Sequence, residues 1–293
     1  MRLGVITPIT LLLPRSHNDW ELDATIDDLD LIVRAADRLG YHHVTASEHV
    51  AVPVDVEARR GKRYYDVLAT LGYFAGITER IRLCTNVVVL PYHHPAELLK
   101  HYGTLDRLSR GRLVLGVGVG SLRPEFELLA KPFEGRGELA DDALRMLRAG
   151  WGEREPVYDG THFSMRDLVV DPTGVQPELP IWVGGRTRRS LRRAVELGDG
   201  WMPFLLAPAE VRSMLAWARD LPAWEQRRRP FEVVLWPEPA VDPPVEPDRI
   251  REQAAEHLEL GATILNYRFV SRSAAHHVEQ MAALTEILGV DPP

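Results

Sequence analysis

The chain has 293 residues, of which 45% are hydrophobic and 26% charged, and its 35 basic and 42 acidic side chains give a net charge of −7. These fractions are typical of a soluble globular protein and exclude collagen, a coiled-coil array and wholesale disorder. The negative charge argues against nucleic acid and an anionic membrane as partners, because both favour a basic protein surface. The length suits either two average domains or one α/β barrel of about 200–250 residues or more.

Cys84 is the single cysteine, which excludes a disulfide framework within the chain and a paired-cysteine metal or redox site. The first residues lack the basic region, apolar stretch and small-residue cleavage site of a signal peptide. No run approaches the roughly 18 apolar residues that a membrane span needs. We therefore expect a cytoplasmic protein of enzyme size.

Short runs rich in Val, Ile and Leu alternate along the chain with longer segments of helical period, which predicts parallel strands joined by crossover helices. The predicted strands cover residues 3–7, 43–47, 81–90, 112–117, 180–183, 200–204, 231–236 and 263–267. The predicted helices cover residues 23–39, 65–77, 95–108, 139–150, 188–197, 208–220, 247–260 and 274–288. Gly40 is placed to end the first of these helices as a C-terminal cap.

Eight strand–helix pairs predict a closed parallel barrel, because a doubly wound open sheet usually has five or six strands. Three segments depart from the alternation and are predicted insertions, at about residues 50–64, 121–137 and 151–179, the last with a short hairpin. No linker separates two cores. We predict one domain over residues 1–293, an α/β (β/α)8 TIM barrel with insertion segments.

In a barrel of this kind the active site lies at the carboxyl ends of the strands. His49 follows the second predicted strand directly, and a histidine there can exchange protons near neutral pH. A structural hydrogen bond is the alternative interpretation of His49. Asn86 and Val87 lie along the third predicted strand, and the candidate residues at the ends of the other strands are Thr7, Ser47, Glu48, His49, Gly116, Gly118, Gly120, Ser121, Gly184, Gly185 and Arg186.

Two glycine-rich segments follow predicted strands. The glycines at 116, 118 and 120 permit close approach to a flat or phosphorylated ligand, or tight packing at the barrel mouth, and their spacing leaves both open. It is not the dinucleotide fingerprint. Gly184 and Gly185 precede a helix start rich in arginine, which favours a phosphate site over a solvated basic face. These arginines are Arg186, Arg188, Arg189, Arg192 and Arg193.

Neither metal catalysis nor a serine or cysteine nucleophile is indicated. The histidines at 42–43, 93–94 and 276–277 are adjacent pairs and lack the i, i+4 spacing of a helical metal site. Ser121 follows a glycine but lacks the G-x-S-x-G frame of a nucleophile elbow. Cys84 lies inside an apolar strand and is predicted to be a core residue. We expect no metal.

Four segments in order carry a family resemblance. They read TASEHV at 45–50, ERIRLCTNVVVLPYHHPAELLKHYGTLDRLSRGRLVLGVGVG at 79–120, PFEGRG at 132–137 and PIWVGGRTRRSLRRAVELGDGW at 180–201. Together they resemble the bacterial luciferase-like monooxygenase family of flavin and deazaflavin proteins, and within it the coenzyme F420-dependent oxidoreductases. The resemblance runs from about residue 3 to 204, and more loosely to the end of the chain.

The resemblance implies a barrel mouth that binds coenzyme F420 or, alternatively, FMN. His49, next to Glu48, is implied to lie by the reactive ring position, and Asn86–Val87 is implied to form a bulge with a non-prolyl cis peptide behind the ring. Arg188 and Arg189 are placed to steer the acidic tail of F420. The implied cofactor-binding residues are Thr7, Asn86, Val87, Gly118, Gly120, Ser121, Gly184, Gly185, Arg186 and Arg188.

The sequence departs from the family pattern at two positions. Relatives often carry a bulky residue at the position of Ser121 and proline at the position of Val67. These departures bear on the substrate more than on the fold. The leading hypothesis is an F420-dependent oxidoreductase that transfers a hydride between the deazaflavin and a small organic substrate.

Two alternatives remain open. One is an FMN-dependent two-component monooxygenase with a separate reductase, and the other is a non-catalytic barrel that has lost cofactor binding. The resemblance also leads us to expect a homodimer.

Overall fold

The computed structural model describes residues 1–14 and 16–290. Eight parallel strand positions close into a barrel, because the ladder runs β3-β2-β1-β11-β10-β9-β8-β5 and β5 pairs back with β3. The strands are β1 (Arg2–Val5), β2 (His43–Ala46), β3 (Arg82–Thr85), β4 (Val88–Val89), β5 (Leu113–Gly118), β6 (Tyr158–Asp159), β7 (Ser164–Met165), β8 (Ile181–Gly184), β9 (Gly200–Met202), β10 (Glu232–Leu235) and β11 (Ile264–Tyr267). The predicted (β/α)8 TIM barrel is confirmed.

All eight predicted crossover helices are present, and capping side chains set where some of them begin. The first starts three residues later than predicted, because the Thr25 hydroxyl accepts from the amide of Asp28 at 3.4 Å. The second starts two residues late, because Asp66 caps it through the amide of Ala69 at 2.7 Å. The helices are α1 (Ile26–Arg38), α2 (Glu57–Arg60), α3 (Val67–Ile77), α4 (Pro95–Leu108), α5 (Arg123–Leu128), α6 (Arg136–Gly150), α7 (Arg188–Leu197), α8 (Pro208–Arg219), α9 (Pro222–Glu225), α10 (Pro247–Glu259) and α11 (Ala274–Leu288).

The prediction of an unbroken third strand over residues 81–90 is wrong. Leu83 pairs with Leu113 and Val88 pairs with Val117 on β5. Four residues lie between Leu83 and Val88, but only three lie between Leu113 and Val117, so this strand has one extra residue. The extra residue forms a bulge that divides the strand into β3 and β4. The Asn86–Val87 peptide bond at this point is cis, as the resemblance implied.

The two faces of the barrel wall pack against different partners. Leu3, Val44 and Leu83 belong to the large core between strands and helices, whereas the alternate residues fill the barrel interior. The interior cluster comprises Cys84, Val114, Trp182, Met202, Val234 and Ile264. Cys84 is fully buried, and burial raises the pKa of its thiol, which confirms it as a core residue. Among residues 1–14 and 16–290, no helix has both the length and the apolar character that a membrane crossing requires.

Buried carboxylates attach the 151–179 insertion to the barrel. Asp106 on α4 accepts hydrogen bonds from the amides of Val175 and Gln176 at 2.7 and 3.0 Å. Asp142 on α6 accepts from the amide of His162 at 2.6 Å. The Asp142 anchor holds the turn of the predicted hairpin, which β6 and β7 form.

Candidate active site

His49 lies three residues beyond the end of β2 and contacts a buried carboxylate from a distant part of the chain. Its Nδ1 atom is 2.7 Å from Oε2 of Glu125, whose side chain on α5 is only 1% exposed. A carboxylate accepts the Nδ1 proton, so Nε2 is the unprotonated nitrogen of the neutral ring. The structure records no hydrogen-bond partner for Nε2 among the residues that it describes.

Four groups converge on Glu125. Besides His49, the amides of Val50 and Ala51 donate to Oε1 at 2.8 and 3.2 Å, and the Tyr92 hydroxyl donates to Oε2 at 3.0 Å. Burial acts to raise the pKa of Glu125, but these hydrogen bonds and the His49 charge outweigh it and hold the pKa below its usual range. Glu125 is therefore a carboxylate that stabilises a positive charge on His49.

Tyrosine rings enclose this pair. The Tyr64 ring lies edge-on to the His49 ring, with centroids 4.5 Å apart. Burial raises the pKa of Tyr64 to about 12, and it also raises the pKa of Tyr92, so both rings remain neutral phenols near pH 7. The only charges in this group of residues are those of Glu125 and of protonated His49.

Glu48, predicted to act beside His49, contacts a different histidine. Its Oε1 atom is 2.7 Å from Nε2 of His93, and its Oε2 atom accepts from the amide of Val89 at 2.6 Å. Burial acts to lower the pKa of His93, but the contact with Glu48 outweighs it and raises that pKa. Glu48 thus connects β2 to β4, and the two predicted catalytic residues belong to two separate carboxylate–histidine pairs.

The bulge places Asn86 between strand ends. Its backbone carbonyl accepts from the Ser47 hydroxyl at 2.8 Å, and its amide donates to the carbonyl of Ala46 at 2.7 Å. The side-chain nitrogen Nδ2 is buried and has no hydrogen-bond partner among the residues that the structure describes. A buried donor without a partner is costly, so this nitrogen suits an acceptor atom of a bound ligand.

Glycines surround Val87. A Cβ added at Gly118 would lie 2.7 Å from Val87 Cγ2, and one added at Gly184 would lie 2.9 Å from Val87 Cγ1. At Gly120, where φ is +74°, a Cβ would lie 2.8 Å from the Phe126 ring. Packing alone therefore accounts for glycine at these three positions, and two of them, Gly118 and Gly184, pack directly against Val87.

The arginines that begin α7 divide into two groups. Arg193 is buried and forms an ion pair with Asp141, so its predicted place in an anion site is wrong. Arg188 lies over the Trp217 ring at 5.3 Å, and Arg186 lies over Phe204 at 5.7 Å. Among residues 1–14 and 16–290, no carboxylate forms an ion pair with Arg186, Arg188 or Arg189.

The remaining predicted site residues have protein partners. The Thr7 hydroxyl accepts from the amide of Thr45 at 2.9 Å and is buried between β1 and β2. Ser121 accepts from Nη2 of Arg60, in the first insertion, at 3.3 Å. Gly185 has a φ of +131° and precedes the Thr187 cap of α7.

Sequence reasoning missed Glu125, Tyr92, Tyr64 and His93. Glu125 and Tyr64 lie 76 and 15 positions after His49, and no motif spacing links them. The one available signal for Glu125 was its place shortly after the predicted fourth strand. Across the described parts of the chain, no group of three or more His, Cys, Asp and Glu side chains is arranged to hold a metal ion.

Comparison with known proteins identifies relatives in sequence and in fold. An uncharacterized protein of Mycobacterium tuberculosis is 29% identical over 266 residues, which cover 85% of this chain and 91% of that protein. The monooxygenase RslO1 from Streptomyces bottropensis has a similar fold, with a TM-score of 0.79, 20% identity and 98% of both chains covered. An F420-dependent secondary alcohol dehydrogenase gives a TM-score of 0.73, 14% identity and the same coverage.

A family model described as luciferase-like monooxygenase matches residues 1–288. This match covers every strand of the barrel and both carboxylate–histidine pairs. The chain belongs to the luciferase-like monooxygenase family.

Proposed function

We propose that this protein is an F420-dependent oxidoreductase that transfers a hydride between the deazaflavin and a small organic substrate. The observation that carries the proposal is the His49–Glu125 pair, a histidine held by a buried carboxylate beyond the carboxyl end of β2. Family membership supports an oxidoreductase, and a solved F420-dependent alcohol dehydrogenase of similar fold supports this cofactor.

The residues at the carboxyl ends of the strands fit such a group. Among the described residues the buried side-chain nitrogen of Asn86 has no partner, and it lies at the bulge next to Val87, against which Gly118 and Gly184 pack. Arg186 and Arg188 at the start of α7 have no carboxylate partner in the described chain and would hold a phosphate. The deazaflavin supplies the two-electron hydride chemistry when it is bound.

His49 accepts or donates the proton that is transferred along with the hydride. Nδ1 donates a hydrogen bond to Glu125, which leaves Nε2 without a proton. Nε2 takes up the proton released when the substrate is oxidised, and it returns a proton to the substrate when the reaction runs in reverse. The Glu125 carboxylate stabilises the cation that forms, and it keeps the ring in one orientation and one tautomer. Tyr64 and Tyr92 limit access of water to the pair.

An FMN-dependent two-component monooxygenase, supplied by a separate reductase, is the second candidate. The solved monooxygenase RslO1 has a similar fold over the whole chain, and the Arg186 and Arg188 guanidinium groups suit an FMN phosphate equally well. Arg189 favours F420, because a cation without an ion-pair partner next to the phosphate-binding arginines suits the acidic tail of F420, which FMN lacks.

Separate titrations with F420 and FMN, followed by fluorescence, test the proposal. We expect F420 to bind at least about tenfold more tightly, and the Arg189→Gln substitution to weaken F420 binding more than FMN binding. Arg145→Gln, which removes an exposed charge on α6, is the matched control. Tighter binding of FMN would favour the second candidate, and no binding of either cofactor would contradict both.

A further inference from the structure

The barrel contains a cavity of about 240 Å³ at the amino ends of its strands, opposite the candidate active site. Arg82, His42 and Val114 line it from the starts of neighbouring strands, and Pro180 and Trp182 line it from β8 and the residue before it. A cavity of about 150 Å³ is enough for benzene. This cavity therefore has room for a ring with one small substituent.

One wall is flat and apolar. The rings of His42 and Trp182 stack with their centroids 5.9 Å apart and their planes inclined by 17°. His42 is held neutral, since burial together with His43 and nearby arginines lowers its pKa to about 2. Trp182 and Val114 are almost fully buried, so the partly exposed His42 ring, backed by Trp182, is the uncharged surface that a planar apolar group can pack against.

The opposite wall is charged, and most of its charges are already paired. Glu232 accepts from Arg2 and from Thr263. Arg229 forms an ion pair with Glu178 at 3.0 Å.

Asp199 is also satisfied from within the protein. Its carboxylate pairs with Arg148 at 2.6 Å and accepts from the amide of Ile181 at 2.8 Å. Neither carboxylate of the cavity wall therefore lacks a cationic partner.

Arg82 is the exception. It faces the cavity, and no carboxylate in residues 1–14 and 16–290 forms an ion pair with it. Burial and the charge of Arg2 lower the pKa of Arg82, and the opposite charges of Asp106 and Glu232 do not offset this effect. A half-buried guanidinium without a partner has five unused donor hydrogens in a geometry that matches a carboxylate.

We propose that this cavity is a second binding site that takes a small planar carboxylic acid, with the carboxylate on Arg82 and the ring against the His42 ring. The anion supplies the charge that Arg82 lacks, and the flat apolar group displaces water from the ring surface. The site is independent of the proposed cofactor, because it uses the amino ends of the strands rather than their carboxyl ends.

Ligand-observed fluorine NMR with 4-fluorobenzoate tests the proposal on the intact protein. We expect saturable binding, weakened about tenfold or more by Arg82→Gln and unchanged by Arg145→Gln, which removes an exposed cation elsewhere. The neutral analogue 4-fluorobenzamide should bind the unmodified protein at least about tenfold more weakly, and this comparison holds even if the Arg82 variant does not fold.

Three results of the direct binding measurements would overturn the proposal. They are the absence of saturable binding, equal affinity for the acid and the amide, and equal affinity of the unmodified protein and a folded Arg82→Gln variant. Displacement of 4-fluorobenzoate by F420 or FMN would also overturn it, since that would locate the acid at the carboxyl ends of the strands.

Discussion

The two ends of the barrel place the same residue type in opposite environments. Beyond the carboxyl ends of the strands, His49 and His93 each contact a carboxylate. At the amino ends, His42 and His43 contact each other through their Nδ1 atoms at 3.0 Å. Burial, with repulsion from nearby cations, lowers their pKa values to about 2 and about 3. Of these two groups of histidines, only the one at the carboxyl end has carboxylate partners, and His42 and His43 stay neutral near pH 7.

The largest expected effect comes from removing the proton acceptor itself. His49→Ala should lower turnover about 10²–10⁴-fold, the usual contribution of a general acid or base, while the cofactor Kd changes by less than about threefold. Steady-state kinetics and cofactor titration measure the two quantities. His101→Ala on the exposed face of α4 is the control. Full turnover in the His49 variant would remove the functional difference between the two ends.

Glu125→Gln should have the next largest effect. The amide keeps the shape of the side chain but loses the charge that favours an imidazolium, so kcat should fall about 10–100-fold with KM little changed. The nitrogen-15 chemical shifts of His49 should reveal a changed tautomer, a signal that a merely structural role would not alter. If kcat and the tautomer stay as they are, Glu125 is not a positioning residue.

Gly118→Ala distinguishes packing from ligand approach at the barrel mouth. The new Cβ would meet Val87 Cγ2 at 2.7 Å, and such overpacking should reduce the free energy of unfolding by about 1–3 kcal/mol. Gly76→Ala on α3, where a Cβ would meet nothing within 4 Å, is the control and should not destabilise the fold. Unchanged stability with weaker cofactor binding would instead assign Gly118 to the ligand.

At neutral pH the smallest effect concerns the buried His43, whose contribution to stability changes only as the pH falls. Its folded pKa of about 3 lies below the ordinary value of 6.5, so the unfolded chain takes up the proton first as the pH falls. The contribution of His43 is therefore fully present above pH 6.5 and is lost towards pH 3, with a slope of at most about 1.4 kcal/mol per pH unit. Urea unfolding at several pH values should show a shallower acid dependence for His43→Gln. An identical slope would contradict the neutral pair at the amino end.

The barrel was predictable from sequence because its signal is repeated and local. Apolar strands alternate with helices of clear period, and several helix limits, such as Pro95–Leu108 and Ala274–Leu288, agree with the prediction to the residue. The bulge at Asn86 was predicted only from the family resemblance. Periodicity alone predicted one continuous strand, because the residues on both sides of the bulge are equally apolar.

The site was predicted in part. His49 was found because it directly follows a strand, but its partner Glu125 lies 76 residues later on a helix inside an insertion. Glu48, the neighbour of His49 in sequence, proved to contact His93 instead. Neighbours on an extended backbone point to opposite sides, so adjacency in sequence predicts separation in space.

By itself, the sequence determined the parallel barrel, the strand end that carries His49 and the core position of Cys84, since each depends on local periodicity or on chain order. The tertiary structure alone decided which arginine of α7 is buried, which carboxylate holds each histidine, and why Arg82 has no partner. Pairing between charges depends on distance and burial, and residues far apart in the chain set both when the barrel closes.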